Sequence, residues 1–291
     1  MRVVTYNIQY GLGEDGRFDL ARIAREVDGA DVIALQEVER FWQRSGMVDQ
    51  AEELARLLGD YHWVYGANLD VDASYRANGS GLVNRRRQFG TMILSRTPIL
   101  SSRNFPLPKR ALLNQHSIQQ GLLEAVIAPA AGSPVRFYSV HLSHLCSATR
   151  LPQIDAILAI LERAPAEGGA WCGSHPNPEA GWTEGGPLPM PREIVLAGDL
   201  NFEPDSVEYD RFLGPDAGRY GRLYSPEGLV DAWDIAGNGR SDASSHPNHP
   251  ARIDHIFVSG SLAARVRRCW IDEAANGSDH RPVWMELDLV P

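Results

Sequence analysis

Apolar, β-branched runs that stop at a carboxylate, an amide or a histidine constrain this chain more than any other feature. The stops read Thr5-Tyr6-Asn7-Ile8, Leu35-Gln36-Glu37-Val38, Gly198-Asp199-Leu200-Asn201, Arg252-Ile253-Asp254-His255 and Ser278-Asp279-His280-Arg281-Pro282. Short runs of this kind are buried strands. A strand end is where a rigid sheet holds a polar side chain at the mouth of a cleft. Because the stops extend from one end of the chain to the other, we expect a single domain over residues 1–291 whose two halves meet at that cleft.

Strands are expected at 2–9, 31–37, 63–66, 89–95, 121–127, 135–141, 193–198, 253–258 and 283–289. Leu20, Ile23, Ala24 and Val27 repeat at helical spacing behind Asp19, an N-cap residue type. Ala51, Leu54, Leu57 and Leu58 form a second stripe that ends at Gly59. A third runs from Leu151 to Leu161 and tolerates Pro152 only in its first turn. Strands arrive in groups with helices between some of them, so the strict alternation of a doubly wound sheet fails and a mixed sandwich fits. Residues 164–192 form a Gly/Pro/Trp-rich loop insertion. Trp171 and Trp182 favour a lid or rim element over a floppy insertion.

The stops supply chemistry. Glu37 at the end of an apolar strand must be solvated, paired or bound to a cation. Asn7 holds the same position on the first strand. On an extended strand Asp199 and Asn201 would share one face, although an Asx turn would equally close that strand. Asp254 beside His280 would fix one imidazole tautomer and raise basicity at the other nitrogen. His141 offers a further donor, with a satisfied core histidine as its rival reading. Oxygen ligands for a hard cation beside such a dyad suit metal-assisted attack on a phosphoester.

Charge narrows the substrate only weakly. A net charge of −9 argues against broad attraction to nucleic acid. Arg85, Arg86 and Arg87 nevertheless precede a strand and offer a phosphate clamp or a merely solvated face. Cys146, Cys172 and Cys269 form no paired spacing. The chain carries no apolar stretch suited to a bilayer, so we expect a cytoplasmic protein with no stable membrane insertion. Oligomeric state is not legible.

With Val140-His141-Leu142 added, these motifs together resemble the endonuclease/exonuclease/phosphatase family, the DNase I-like metal-dependent phosphoester hydrolases. The resemblance implies a four-layer α/β/β/α sandwich and a Mg²⁺ (or Mn²⁺) cofactor. It implies that Glu37 is the principal metal ligand, with Asn7 and Asp279 completing the metal region. It implies that His280, oriented by Asp254, contacts phosphate or acts as base, that Asp199 and Asn201 handle the nucleophile or leaving group, and that His141 steadies a phosphoryl oxygen. The base stays open between His280 and Asp199. Gln9 stands where some family nucleases carry Asp, so one firmly held cation is expected rather than two. A phosphodiesterase or phosphatase acting on a small-molecule or lipid-headgroup phosphoester is favoured. The alternatives are a DNA or RNA nuclease and a catalytically silent binding module on the same fold.

Overall fold

The computed structural model describes all residues except Ala77, Asn78, Ser80, Thr183, Arg240, Ser241, Asp242, Val290 and Pro291. Thr183 of the Gly/Pro/Trp-rich loop therefore lies outside the described residues. The first half contains β1 (Arg2–Asn7), α1 (Leu20–Glu26), β2 (Val32–Arg40), α2 (Gln50–Leu58) and β3 (His62–Asp72). A small hairpin of β4 (Tyr75–Arg76) and β5 (Leu82–Val83) follows, then β6 (Arg86–Ser95) and β7 (Ile99–Pro106). Next come β8 (Gly121–Ile127), β9 (Val135–His141), α3 (Ser147–Glu167), β10 (Ile194–Asp199) and α4 (Val207–Leu213). The chain continues with β11 (Leu229–Asp231), α5 (Ala232–Ile235), β12 (Asp254–Ser259), β13 (Val266–Ile271) and β14 (Val283–Leu287).

Two sheets of six strands stack face to face, in the orders β13-β14-β1-β2-β6-β3 and β11-β12-β10-β9-β8-β7. Strand alternation explains the layers. Val3, Ala34 and Ile93 of one sheet pack on Leu123, Phe137 and Ala197 of the other, which closes the central core. Val4, Tyr6 and Leu35 point the opposite way, onto Ile23 of α1 and Leu54 of α2. Tyr138, Leu196 and Phe257 likewise point outward, onto Ile154 and Ile157 of α3 and Phe212 of α4. The result is the four-layer α/β/β/α sandwich expected from the sequence.

Register collects the polar stops at one end. Parallel pairing sets Asn7 opposite Gln36 and Asp199 opposite His141. Antiparallel pairing sets Asp199 opposite Asp254. The glycine before Asp199 is required by close approach, since a Cβ at Gly198 would fall 1.9 Å from the Val140 carbonyl oxygen.

Several expectations need correction. β2 does not stop at Glu37 but runs on to Arg40, with a bulge between Leu35 and Val38. Glu37 takes φ 59° in that bulge, and such a kink re-aims a side chain next to a site. Asn201 lies beyond β10 at φ 54°, so the shared-face argument for Asp199 and Asn201 does not apply. α3 begins at Ser147, which places Pro152 past the first turn. The lid reading of the Gly/Pro/Trp-rich loop also fails. The loop spans 168–193 and feeds the Ile194 end of β10, whereas the polar residues gather at its Asp199 end. Trp182 is 74% exposed, and none of the loop's described residues lines the cleft. β4, β5, β7, β11, β13, α4 and α5 were not anticipated.

Candidate active site

Asn7 is the hub. Its Nδ2 donates to Asp199 Oδ2 at 2.9 Å and to Glu37 Oε1 at 3.2 Å, and lies 3.5 Å from His280 Nε2. The Asn7 Oδ1 accepts from the Gln9 backbone N–H at 3.0 Å. Gln9 and Tyr10 hold φ 43° and 47°. With Glu37 and Asn201, this puts four non-glycine residues in the left-handed region around one cleft. Each such residue costs on the order of 1–3 kcal/mol, and such strain clusters at functional sites.

His280 Nδ1–H donates to Asp254 Oδ2 at 2.8 Å, and His280 Nε2 lies 3.7 Å from Asp199 Oδ2. Asp254 and His280 are both buried, and two backbone amides, those of Ile253 and Asp254, fix Ser245 Oγ beneath the dyad. Burial opposes charge on His280, yet the carboxylates of Asp254 and then Asp199 outweigh it and raise its pKa to about 10. Burial also pushes the Asp254 carboxyl up. A touching buried pair costs far less than either charge alone, so the carboxylate–imidazolium pair is the form at neutral pH.

Asp199 is almost fully buried and accepts from two sides: Asn7 Nδ2 on Oδ2 and the Asn201 backbone N–H on Oδ1 at 3.0 Å. The second contact is the Asx turn considered from sequence. His141 Nε2 stands 3.4 Å from Asp199 Oδ2, and His141 Nδ1 is buried without a partner among the described residues. Asn201 Nδ2 donates to the Leu142 carbonyl at 3.1 Å. On the other flank, Gln9 Nε2 donates to Asp279 Oδ2 at 2.7 Å, with His246 Nε2 3.7 Å away. Burial opposes ionisation of Asp279, but His246 and His280 hold its pKa below the ordinary value.

These groups meet at a cavity of about 520 Å³ lined by Glu37, His141, Asp199, Asn201 and His280. Asn7, Asp254 and Asp279 stand behind the lining. The arginine segment does not reach it. Arg86 pairs with Asp70 at 2.8 Å, Arg87 donates to the Phe41 carbonyl at 3.3 Å, and Arg85 stacks on Tyr75 and Phe41. Cavity residues that the sequence reading passed over include Tyr10, Trp42, Arg44, His144 and His246. The only signal for Arg44 was its place shortly after the Glu37 strand.

The residues fit a hard cation. Glu37 lines the cavity, is partly solvated, and its Oε2 has no donor among the described residues. An anionic oxygen in that state is what Mg²⁺ or Mn²⁺ takes. His246, Asp279 and His280 also bring ligand atoms within 4.8 Å of one another, as do Asp199, Asp254 and His280. The second of these groups is already occupied by its own internal ion pair.

A two-sheet sandwich with this cleft at one end defines the class of sandwich-fold phosphoester hydrolases. The chain belongs to the Endonuclease/Exonuclease/phosphatase family, whose model matches residues 4–280. It is similar in fold to an endonuclease/exonuclease/phosphatase from Beutenbergia cavernae (TM-score 0.63, 23% identity, 98% of this chain and 70% of that one). A mannosyl-6-phosphatase from Bacteroides thetaiotaomicron is similar at TM-score 0.61 and 19% identity, over 99% of both chains. A 3'-5' exonuclease from Neisseria meningitidis matches at TM-score 0.56 and 19% identity, over 99% of this chain and 100% of that one. No curated protein matches the sequence.

Proposed function

We propose that the protein is a Mg²⁺- or Mn²⁺-dependent phosphodiesterase or phosphatase acting on a small-molecule or lipid-headgroup phosphoester, as one cytoplasmic domain over residues 1–291. The observation that carries the reading is the continuous contact from Glu37 through Asn7 and Asp199 to His280 and Asp254, set against one cavity. The names of fold neighbours, a mannosyl-6-phosphatase and a 2',3'-cyclic phosphatase among them, are compatible with it. Among the described residues no helix is long and apolar enough to cross a membrane.

Glu37 would hold the cation, with Asn7 and Asp279 beside it, and the cation would offset charge on a non-bridging phosphate oxygen. The protein's own groups do the rest. A His280 pKa of about 10 makes it a poor base and a good donor, so His280 Nε2–H faces a phosphoryl oxygen. On this reading Asp199 takes the proton from the attacking water. His141 and Asn201 flank Asp199 and steady the developing charge.

A duplex-directed nuclease would need a basic groove, and the arginines best placed in sequence are spent on Asp70, Phe41 and Tyr75. The test is hydrolysis of a phosphomonoester, a simple phosphodiester, a lipid phosphodiester and single- and double-stranded DNA, each under Mg²⁺, Mn²⁺ and EDTA. Metal-dependent cleavage of a small or lipid ester with DNA left intact is expected. Salt-sensitive DNA cleavage in preference to the esters would overturn the substrate class. No turnover in any arm would favour the silent module.

A further inference from the structure

The connection from β2 to α2 carries Trp42 and Arg44 and is bracketed by Phe41 and Met47, both at φ 60°. Arg44 Cζ lies 4.0 Å from the Tyr10 ring centroid and 5.1 Å from that of Trp42. Its Nε donates to Glu39 Oε1 at 2.8 Å, and a terminal nitrogen contacts the same oxygen. The other Glu39 oxygen accepts from Ser45 Oγ at 2.7 Å. The Glu39 side chain is 0% exposed and that of Arg44 47%. One end of the pair is therefore locked in the protein, while Arg44 lines the same cavity as Glu37, His141, Asp199 and His280.

A guanidinium has five N–H donors. Glu39 uses the Nε and one terminal nitrogen, and no other acceptor meets Arg44 among the described residues. The neighbouring rings occupy its surface, so what remains is an N–H edge. Such an edge reads oxyanions in a fixed geometry and has little to offer a flat ring. Among the described residues Arg44 is also the one arginine lining the cavity. Packing and the anchor to Glu39 hold the fork in place before any ligand arrives, which lowers the ordering cost of binding.

We propose that Arg44 recognises a second anionic group of the substrate, a phosphate or carboxylate beside the ester that is cleaved. The inference rests on the hydrolase reading above for the position of the first phosphate, and it makes the preferred substrate a bis-anionic small molecule.

The test is calorimetric binding of three uncleavable probes: butylphosphonate, a butane bisphosphonate, and an alkylphosphonate with a terminal carboxylate. Arg44→Gln alone would strand the buried Glu39 carboxylate, so the variants are Glu39→Gln and the double variant Glu39→Gln/Arg44→Gln. Wild type should bind a bis-anionic probe at least about tenfold more tightly than butylphosphonate. Glu39→Gln should keep that ratio, because the amide oxygen still accepts from the Arg44 Nε while one competing negative charge is gone. The double variant should reduce it to about threefold or less. The favoured bis-anionic probe identifies phosphate or carboxylate as the group read. Equal affinities in wild type, or a ratio kept in the double variant, would overturn the subsite. The matching phosphate esters test the chemistry separately: preference in binding with no hydrolysis upholds Arg44 and removes the hydrolase reading.

Discussion

Asn7 and Asp199 stand 192 residues apart in sequence, on different sheets, and are joined by a 2.9 Å hydrogen bond from Nδ2 to Oδ2. That bond ties the carboxylate end of β10 to the end of β1, and it orients the atom assigned to take the proton from water. Among the described residues no other side-chain amide donates to both Glu37 and Asp199, and the Asn7 nitrogen stands 3.5 Å from His280 Nε2.

Asn7→Ala should therefore act on turnover more than on folding. Losing one preorganised donor of this kind costs about a hundred- to a thousandfold in turnover, against about 1 kcal/mol of stability for a hydrogen bond. Steady-state rates and a thermal melt on the same preparation separate the two effects. A rate within threefold of wild type would remove Asn7 from the reaction.

Glu37→Gln should move the midpoint of Mg²⁺ or Mn²⁺ activation to higher concentration. The substitution keeps the shape at the bulge and removes the anionic oxygen that faces the cavity. Metal titration by activity and by calorimetry should shift together. An unchanged midpoint would take Glu37 out of direct contact with the cation.

His280 makes a pH prediction for the metal-free protein. Its folded pKa of about 10 lies above the ordinary value of 6.5. The folded state thus binds the proton more tightly. The stabilisation is full below about pH 6.5 and fades as pH rises through about 10. Unfolding free energy in EDTA should fall more steeply over that window in wild type than in His280→Ala. Parallel curves would mean His280 is neutral in the fold.

The Arg252-Ile253-Asp254-His255 motif splits by role. Asp254 belongs to the cleft, whereas Arg252 and His255 serve a buried structural network. Arg252 donates to Asp231 at 2.7 Å, Tyr209 donates to the same oxygen at 2.6 Å, and His255 contacts the Phe202 carbonyl at 2.9 Å. Burial opposes the Asp231 charge, but Arg252, His255 and Tyr209 together outweigh it and hold the carboxyl well below the usual range. Its contribution is present above the unfolded carboxyl pKa and is lost as pH falls towards the folded value. Asp231→Asn should cost about 3–5 kcal/mol, because it leaves Arg252 buried and unpaired. Urea unfolding at neutral and acid pH measures both points. A loss below about 1 kcal/mol would contradict the network.

Much of this was legible because burial writes itself into sequence. Inner strands such as Gly121–Ile127 and Val135–His141 are buried at every position and read as largely apolar runs, interrupted by buried polar residues such as Glu124 and Arg136. β13 is a sheet edge whose Arg267 and Arg268 face solvent, and β7 is an edge strand of mixed burial, so neither shows such a run. The Glu37 bulge was hidden because a residue with φ 59° has no marker when it is not glycine. Arg44 was hidden for another reason. Its partners Glu39, Tyr10 and Trp42 come from a bulged strand and two turns, and periodicity does not register such contacts. The Arg85–Arg87 run attracted notice by composition alone, and the fold spends it elsewhere.

Central to the account is that Asp199 takes the proton while protonated His280 donates to phosphate. The most direct measurement is kcat/KM for wild type, Asp199→Asn and His280→Ala on whichever ester wild type cleaves, at saturating Mn²⁺ and across pH. Asp199→Asn should lose at least about a thousandfold and His280→Ala about a hundred- to a thousandfold, with both proteins melting as folded domains. An Asp199→Asn variant that retains near-wild-type turnover, with activity tracking deprotonation of His280 instead, would contradict it.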